Sequence, residues 1–298
     1  MSGDGHIPAL LDEVLQLLKA DREGIYIDGT LGLGGHAREL LQRNPRASLI
    51  GFDQDEMSLL AAEHTLKEFA DRVTLYHSDF RYLPELDLDF SSVKGVLLDL
   101  GISSFQLDDP ERGFSYSQEG PLDMRMDLRN KTTAARILDK SSEPRLAQIF
   151  WEYGELRQSR KLASAIVSRR KVAKIATTTE LFRIVEDVCR WRAQKGKTHP
   201  AARVFQALRI EVNQELKDLD IFLRRLTRKI PTGARLAVIS FHSLEDRIVK
   251  HTFAQMASNW DASPTLKILT KKPVVPSPQE VSRNFRSRSA KLRAVEKI

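Results

Sequence analysis

The sequence predicts an α/β fold whose parallel sheet is interrupted by an all-helical insertion. Three observations predict it. Short apolar runs alternate with amphipathic helical patterns in the N-terminal third, as in βαβ units. No convincing strand pattern occurs in the middle of the chain (132–213), and the alternation then returns. We therefore expect a discontinuous α/β domain, residues 1–109 and 214–298, around an inserted helical domain, residues 110–213.

The composition is that of a folded protein of one large or two ordinary domains. The chain has 298 residues, of which 41% are hydrophobic and 29% charged. No apolar run approaches the ~18 residues of a membrane span, and residues 1–6 lack the features of a signal peptide. A single cysteine excludes a disulfide framework and a cysteine-based metal site, so we predict no metal and a cytoplasmic location.

The charge is unevenly distributed. The net charge is +7, but residues 267–298 hold nine Lys and Arg against two acids, and residues 156–175 hold seven and no acid. The rest of the chain is therefore net acidic. Two local basic strips favour a polyanionic partner. For either strip alone, a solvated helix face or a loose tail is an equal alternative.

The N-terminal elements follow one another at short intervals. Helices are expected at 8–19, 37–41 and 55–70, and strands at 25–27, 49–52, 73–77 and 96–99. The fourth strand is apolar throughout, as expected for a central parallel strand buried on both faces.

A glycine-dense stretch, residues 28–36, joins the first strand to its helix. Apolar run, glycine turn and helix are the layout of a nucleotide-type binding site. Asp53 lies near the ~20-residue spacing expected for an acid that binds a ribose hydroxyl. The glycine spacing is not G-x-G-x-x-G, so a dinucleotide fingerprint fits poorly. We favour an adenosine-type cofactor over a merely tight turn.

Two further strand ends carry candidate site residues. Phe80 follows the third strand and could flank an adenine ring, although a core aromatic is the simpler interpretation. Asp99 ends the fourth strand, at the edge of the sheet where ligands bind. A strand-terminal Asp that caps the next helix is an equal alternative. The polar, non-periodic segment 110–127 is of a kind that is often functional.

Helices dominate the middle of the chain. They are expected at 133–138, 144–153, 156–171, 178–192, 200–213 and 215–228, with a turn at 195–198. Arg203, Gln206, Arg209 and Asn213 share one helix face, for which a solvated face is the alternative. A fifth buried strand is expected at 236–240 and two late edge strands at 266–269 and 291–295, with a basic loop, 271–289, between them.

Several runs, taken in order along the chain, are more specific than any single motif. They are residues 6–13, 28–36, 98–104, 106–115, 120–127, 205–210, 239–250 and 286–293. In this order they closely resemble the RsmH (MraW) family of bacterial methyltransferases. The resemblance implies a class I S-adenosylmethionine-dependent methyltransferase (Rossmann-like) sheet with an inserted helical recognition domain. It implies methylation of the N4 amine of a cytidine in 16S rRNA, in the decoding region near the P site of the small ribosomal subunit.

The resemblance also implies a set of cofactor contacts. The residues that match the family pattern at S-adenosylmethionine contacts are Gly34, Gly35, His36, Asp53, Phe80, Asp99 and Gln106. Candidate hydrogen-bond acceptors for the amine are Asp99, Ser103, Ser104 and Asp108. Candidate substrate-binding residues are Arg112, Asp123, Arg125, Arg203, Arg209, Asn213, His242 and Arg247. The expected partner is 16S rRNA within the small subunit, and the protein could form a homodimer.

The chain departs from the family pattern at a few positions, and two other functions compete. Phe105 stands where the family usually has proline, and Leu156, Ala202, Val204 and the turn 232–234 also differ. One rival is an NAD-dependent dehydrogenase, which the missing fingerprint disfavours. The other is a non-catalytic RNA-binding assembly factor on a methyltransferase fold, which the intact glycines and acids disfavour.

Overall fold

The computed structural model describes residues 7–192, 199–258 and 265–298. The chain divides into two compact units, which are described separately. The first unit joins residues 1–101 to 218–298, and the second is residues 102–217. The expected turn at 195–198 lies outside the described residues, as does His6, the first residue of the run 6–13.

The first unit is built on a seven-stranded sheet. Its strands are β1 (Gly24–Asp28), β2 (Ala47–Asp53), β3 (Val73–His77), β4 (Val93–Asp99), β5 (Arg235–Ser240), β6 (Leu266–Ile268) and β7 (Lys291–Lys297). Their order is β3-β2-β1-β4-β5-β7-β6. Neighbours from β3 to β5 are parallel, and β7 is antiparallel to β5 and β6. This is the class I methyltransferase arrangement, so the expected fold class is confirmed.

The helices are named in chain order. They are α1 (Leu11–Leu18), α2 (Gly35–Arg43), α3 (Glu56–Thr65), α4 (Ser104–Asp108), α5 (Ala134–Lys140), α6 (Glu143–Glu152), α7 (Ser159–Val172), α8 (Thr178–Cys189), α9 (Pro200–Asn213), α10 (Leu219–Lys229), α11 (Ser243–Met256) and α12 (Pro278–Arg283). Throughout the described ranges, no helix has both the length and the apolar character needed to cross a lipid bilayer.

Two apolar layers cover the sheet. Leu97 of β4 joins the layer formed with α1, α2 and α3, whereas Val96 and Leu98 join the layer formed with α10 and α11. All three side chains are buried. The expectation that β4 is buried on both faces is therefore confirmed, and the carboxyl ends of β1, β2, β4 and β5 lie along one edge.

The second unit is helical and has its own core. Residues from α5 to α9 form one apolar cluster, joined by Phe114, Leu122, Met124 and Met126 of the segment between α4 and α5. Among the described residues of this unit no strand occurs, and the only β-type pairing is an isolated bridge between Pro121 and Thr177.

Four expectations about the elements were wrong in detail. β7 is not an edge strand, because it pairs with β5 on one side and β6 on the other. The basic loop contains α12 and a 3₁₀ helix, Phe285–Ser289. Helix α10 begins at Leu219 because Asp218 adopts a left-handed φ of 56°. Helix α8 ends at Cys189 because Arg190 does the same at 45°.

Candidate cofactor and substrate site

The turn between β1 and α2 has the conformation that its glycines predict. Gly32 and Gly34 have φ values of 53° and 78°, where a side chain is strained. A Cβ on Gly35 would lie 2.7 Å from the Pro8 ring, so this glycine is required for packing. Helix α2 begins at Gly35, and its first backbone N–H groups have no partner within the helix. The expected tight turn at a sheet edge is therefore present.

Three carboxyls end neighbouring strands at this edge. They are Asp28 on β1, Asp53 on β2 and Asp99 on β4. Asp28 Oδ1 accepts the Thr30 N–H at 3.1 Å. The two oxygens of Asp53 accept the Gly32 N–H at 2.8 Å and the Asp55 N–H at 2.9 Å. Asp53 thus ties the glycine turn to the end of β2.

Burial raises the pKa of all three carboxyls. It raises the pKa of Asp28 to about 7, with a further contribution from the charge of Asp53. It raises the pKa of Asp53 to about 6, against the lowering effect of the backbone N–H groups. The pKa of Asp99 lies well above its usual range because of burial and the charges of Asp28 and Glu245. Carboxyls that burial and neighbouring charges hold against ionisation favour a cationic ligand, which stabilises their ionised forms.

One carboxylate oxygen of Asp99 is an acceptor for which the described part of the chain provides no donor. Among the described residues, its buried Oδ1 has no hydrogen-bond partner. Its Oδ2 lies 3.8 Å from Nδ1 of His36, which is too far for a hydrogen bond. Leaving a buried polar atom unpaired costs about 1–3 kcal/mol. The carboxyl is therefore arranged to meet a polar group of a ligand.

His36 is oriented by the chain that precedes α1. Its Nε2 lies 3.0 Å from the carbonyl oxygen of Ala9. A carbonyl only accepts, so Nε2 carries a proton, and Nδ1 is the ring nitrogen nearer Asp99. The ring is 7% exposed. His36 is thus a fixed wall beside the Asp99 carboxyl.

Phe80 follows β3 and is half-buried. Its ring meets Phe222 of α10 edge to face, with the centroids 4.9 Å apart. A Cβ on Gly29 would lie 3.1 Å from the Cβ of Phe80. Phe80 is packed into the first unit and still partly exposed, so its assignment as an adenine contact stays a prediction.

His242 and Glu245 begin α11 beyond the end of β5. Nδ1 of His242 accepts the Glu245 N–H at 3.3 Å, and Oε2 of Glu245 accepts the Phe241 N–H at 3.0 Å. The pair forms a capping box. Glu245 is buried and raises the pKa of Asp99, a role that the sequence analysis missed. The three-residue spacing from His242 was the available signal. Arg247 lies exposed on α11.

The whole chain matches one known family. The profile of the MraW methylase family matches residues 4–298. The chain belongs to this family. The family resemblance expected from the sequence is therefore confirmed, and with it a methyltransferase that depends on S-adenosylmethionine.

The relatives cover the chain almost completely. "Ribosomal RNA small subunit methyltransferase H" of Heliobacterium mobile is 45% identical, covering 98% of this chain and 99% of that protein. The protein of the same name from Heliobacterium modesticaldum is 46% identical, with 98% of each covered. A solved rRNA methylase from Streptococcus thermophilus is 11% identical at a TM-score of 0.41, over 97% of this chain and 93% of that one. The fold assignment depends on the strand order, not on that distant likeness.

In the second unit, α4 contains the polar residues that follow β4. Ser103 and Gln106 form a capping box: Ser103 Oγ accepts the Gln106 N–H at 3.2 Å, and Gln106 Oε1 accepts the Ser103 N–H at 3.0 Å. Ser104 is the first residue of α4, and Asp108 is exposed at its end. Cofactor contact by Gln106 and amine contact by Ser103, Ser104 or Asp108 stay predictions.

The segment 110–127 is held by internal pairs. The buried Arg112 donates to the carbonyl oxygens of Arg125 at 2.8 Å and Met126 at 3.1 Å. Arg125 forms a bidentate pair with Asp123, at 2.8 and 2.7 Å. These three candidate substrate residues therefore fix the shape of the segment, and any contact with substrate stays a prediction.

Side chains of the polar stripe on α9 also form hydrogen bonds within the second unit. Arg209 pairs with Glu215 through two bonds of 2.8 Å. Asn213 donates to the Met124 carbonyl at 2.8 Å and accepts the Met126 N–H at the same distance. Only Arg203 is exposed, donating to the Glu155 carbonyl at 3.3 Å. A solvated face is thus wrong for Arg209 and Asn213, which brace the segment 110–127.

Proposed function

We propose that this protein methylates the N4 amine of a cytidine in 16S rRNA, in the decoding region near the P site of the small ribosomal subunit. Its relatives are named as small-subunit rRNA methyltransferases. The observation that carries the choice of reaction is the buried Oδ1 of Asp99, which has no partner among the described residues. An exocyclic amine offers the N–H that such an acceptor lacks.

The residues at the sheet edge suit S-adenosylmethionine. Gly34, Gly35 and His36 would hold it at the β1–α2 turn, Asp53 at the ribose, and Phe80 beside the adenine. Gln106 is a further proposed contact. When bound, this cofactor supplies a methyl group activated by a sulfonium cation. The three carboxyls favour that positive charge, since a neighbouring cation stabilises their ionised forms against the burial that raises each pKa.

The proposed role of Asp99 is to accept a hydrogen bond from the N4 amine and then to accept its proton. The lone pair of a cytosine amine is delocalised into the ring, so the nitrogen is a poor nucleophile. Ionised Asp99 would accept one N–H at Oδ1 and localise that lone pair. As the nitrogen gains the methyl group from the sulfonium, it must lose one proton, which Oδ1 would accept. Placing the amine nitrogen in line with the methyl group and the sulfur lowers the activation barrier by roughly 7–11 kcal/mol in favourable cases.

Methylation at carbon is disfavoured by the position of the only cysteine. Attack at C5 of cytosine normally needs a cysteine nucleophile. Cys189 lies in α8 of the second unit, partly buried, and burial raises the pKa of its thiol. A thiol with a raised pKa is a weak nucleophile at neutral pH. Location in the cytoplasm and a homodimer stay predictions.

The test is methyl transfer from labelled S-adenosylmethionine to small subunits from cells that lack this enzyme. The modified nucleoside is identified by mass spectrometry. We expect N4-methylcytidine. Asp99→Asn should reduce the rate about 100-fold or more, because general bases contribute about 10²–10⁴. Asp71→Asn, at an exposed acid of the same unit, should leave the rate unchanged.

Three outcomes would contradict the proposal. A different methylated nucleoside would show that the substrate is wrong. A full rate with Asp99→Asn would remove Asp99 from the chemistry. Binding of the cofactor without transfer to subunits or naked rRNA would favour the non-catalytic assembly factor. The cofactor affinity of Asp99→Asn is measured separately, so that lost binding is not mistaken for lost chemistry.

A further inference from the structure

An exposed aromatic ring lies in the basic segment 271–289 of the first unit. Phe285 is 66% exposed, although it belongs to a residue type that is usually buried. The Arg288 guanidinium lies 4.1 Å from the centroid of its ring. Arg283 and Arg286, on either side of Phe285 in sequence, are also exposed. Phe285 and Arg288 are together called the Phe285 platform below.

The platform is held firmly by its neighbours. Asn284 Oδ1 accepts the Arg286 N–H at 3.2 Å, and its Nδ2 donates to the Ile7 carbonyl at 2.8 Å. Ser287 is fully buried and donates its hydroxyl to the Asn284 carbonyl at 2.8 Å. These bonds fix the first turn of the 3₁₀ helix and tie it to the N-terminal segment at Ile7. Phe285 is therefore presented outwards by a defined backbone, and its exposure is not a result of a loose chain end.

The charge around the platform is strongly positive. Residues 271–289 contain five Lys and Arg, all exposed, and one acid, Glu280. Oε1 of Glu280 accepts the backbone N–H of Leu10 at 2.8 Å, so this acid serves the packing of α12 against the N-terminal segment. An exposed aromatic ring among cations complements a partner that carries both flat rings and phosphates.

We propose that the Phe285 platform stacks on an unpaired base of single-stranded RNA, while Arg283 and Arg286 contact the adjoining phosphates. The inference depends on the RNA partner of the proposed function and adds a second contact outside the sheet edge. Arg288 covers one face of the ring through a cation–π contact, which leaves the other face for a base. Aromatic rings among basic residues are a common means of binding single strands.

The test is fluorescence anisotropy with the full chain and an oligouridylate of about 12 nucleotides, a length in the range of single-strand sites. The probe has one central 2-aminopurine, whose emission is quenched by stacking. Phe285→Ala should weaken binding about 5- to 150-fold, since stacking contributes about 1–3 kcal/mol per base. It should also reduce the quenching of the 2-aminopurine emission on binding. Phe285→Tyr should retain both.

Tyr82→Ala is the matched control, because Tyr82 is 57% exposed in the same unit but lies beside acids, Asp79 and Glu85. It should leave RNA binding unchanged. Melting temperatures of all variants establish that they are folded, and substitution of so exposed a ring should not unfold the protein.

The outcomes separate the platform from the proposed function. If Phe285→Ala binds RNA as tightly as the wild type does, the platform is overturned but the proposed function is not. Absence of RNA binding by the wild type overturns both the platform and the RNA partner. If Phe285→Ala changes the sedimentation coefficient but not RNA binding, the ring lies at an interface between copies of the chain, and the platform is overturned.

Discussion

Single carboxyl groups determine how the sheet edge responds to pH. Asp28 and Asp53 have pKa values raised to about 7 and about 6. In the ligand-free folded protein, these two carboxyls therefore keep protons that they release near pH 4 in the unfolded chain. Their contribution to the free energy of unfolding therefore falls as the pH rises from about 4 to about 7. The edge is destabilised by its own charge at neutral pH.

A bound cation should reverse that effect. We expect the affinity for S-adenosylmethionine to rise between about pH 5.5 and about pH 7.5, because Asp28 and Asp53 ionise in this window. Isothermal titration calorimetry measures it. S-adenosylhomocysteine lacks the sulfonium charge and should show a weaker pH dependence. Equal pH dependence for the two ligands would mean that these carboxyls do not interact with the sulfonium.

The sequence predicted these positions unevenly. Asp53 and Asp99 could be found because each ends an apolar strand, where sheets of this class bind ligands. The unpaired oxygen of Asp99 and the proximity of Glu245 could not be found, since both depend on side chains that are distant in sequence. Arg112 and Asn213 have the residue types of RNA contacts, but their bonding to backbone is visible only in three dimensions.

Among the elements, α9 shows how a polar stripe can serve as structure. Asn213 joins the end of α9 to the backbone at Met124 and Met126. Its amide bonds to a carbonyl and an N–H group that do not take part in a helix or strand of the described chain, because their segment lacks regular secondary structure. This explains why the long non-periodic segment 110–127 lies ordered on the helices. The sequence periodicity predicted the helix and its polar face, but it could not predict which segment that face contacts.

Asn213→Ala should lower the free energy of unfolding by about 1–3 kcal/mol, because it leaves the Met126 N–H and the Met124 carbonyl without their partner. Chemical denaturation measures the change. Ser168→Ala on the exposed face of α7 is the control and should alter stability by less than about 0.5 kcal/mol. If the two variants are equally stable, Asn213 does not brace the segment.

Strand β7 was predicted in place but with the wrong neighbours. A charged residue in the middle of a short strand is typical of an edge strand, and β7 contains Arg293 at such a position. In the structure Arg293 is buried and its Nε donates to Asp246 Oδ1 of α11 at 2.6 Å. The pair lowers the pKa of Asp246 and lets a cation lie inside the sheet. Such long-range compensation leaves no local pattern in the sequence.

At the scale of the molecule, the basic strips are distributed over both units. Within 156–175, Arg170 is committed, since it donates to the carbonyl oxygens of Leu138 and Ser141. Most of the others are exposed, among them Arg160, Lys161 and Lys171. Exposed cations without an acidic neighbour on the same helix suit phosphates, because such contacts release counterions.

Changing Arg160, Lys161 and Lys171 together to Gln should reduce the salt dependence of RNA affinity. Each lost phosphate contact lowers the slope of log affinity against log salt by about 0.7–0.9. Filter binding at several salt concentrations measures it. Arg46, Lys67 and Arg228, exposed residues of the first unit, changed to Gln provide a control of equal charge. Equal slopes for the two triple variants would show only a general effect of net charge.

The division of the chain also bears on the order in which it is made. Strands β1 to β4 precede the second unit, whereas β5, which pairs with β4, and the strands β6 and β7 beyond it follow that unit. The second unit is continuous in sequence, so all of it is synthesised before β5, the strand that pairs with the open side of β4. During synthesis the open side of β4 must therefore wait for more than a hundred further residues. Over that interval β4 is an unpaired strand edge, the kind of surface through which incomplete sheets pair wrongly.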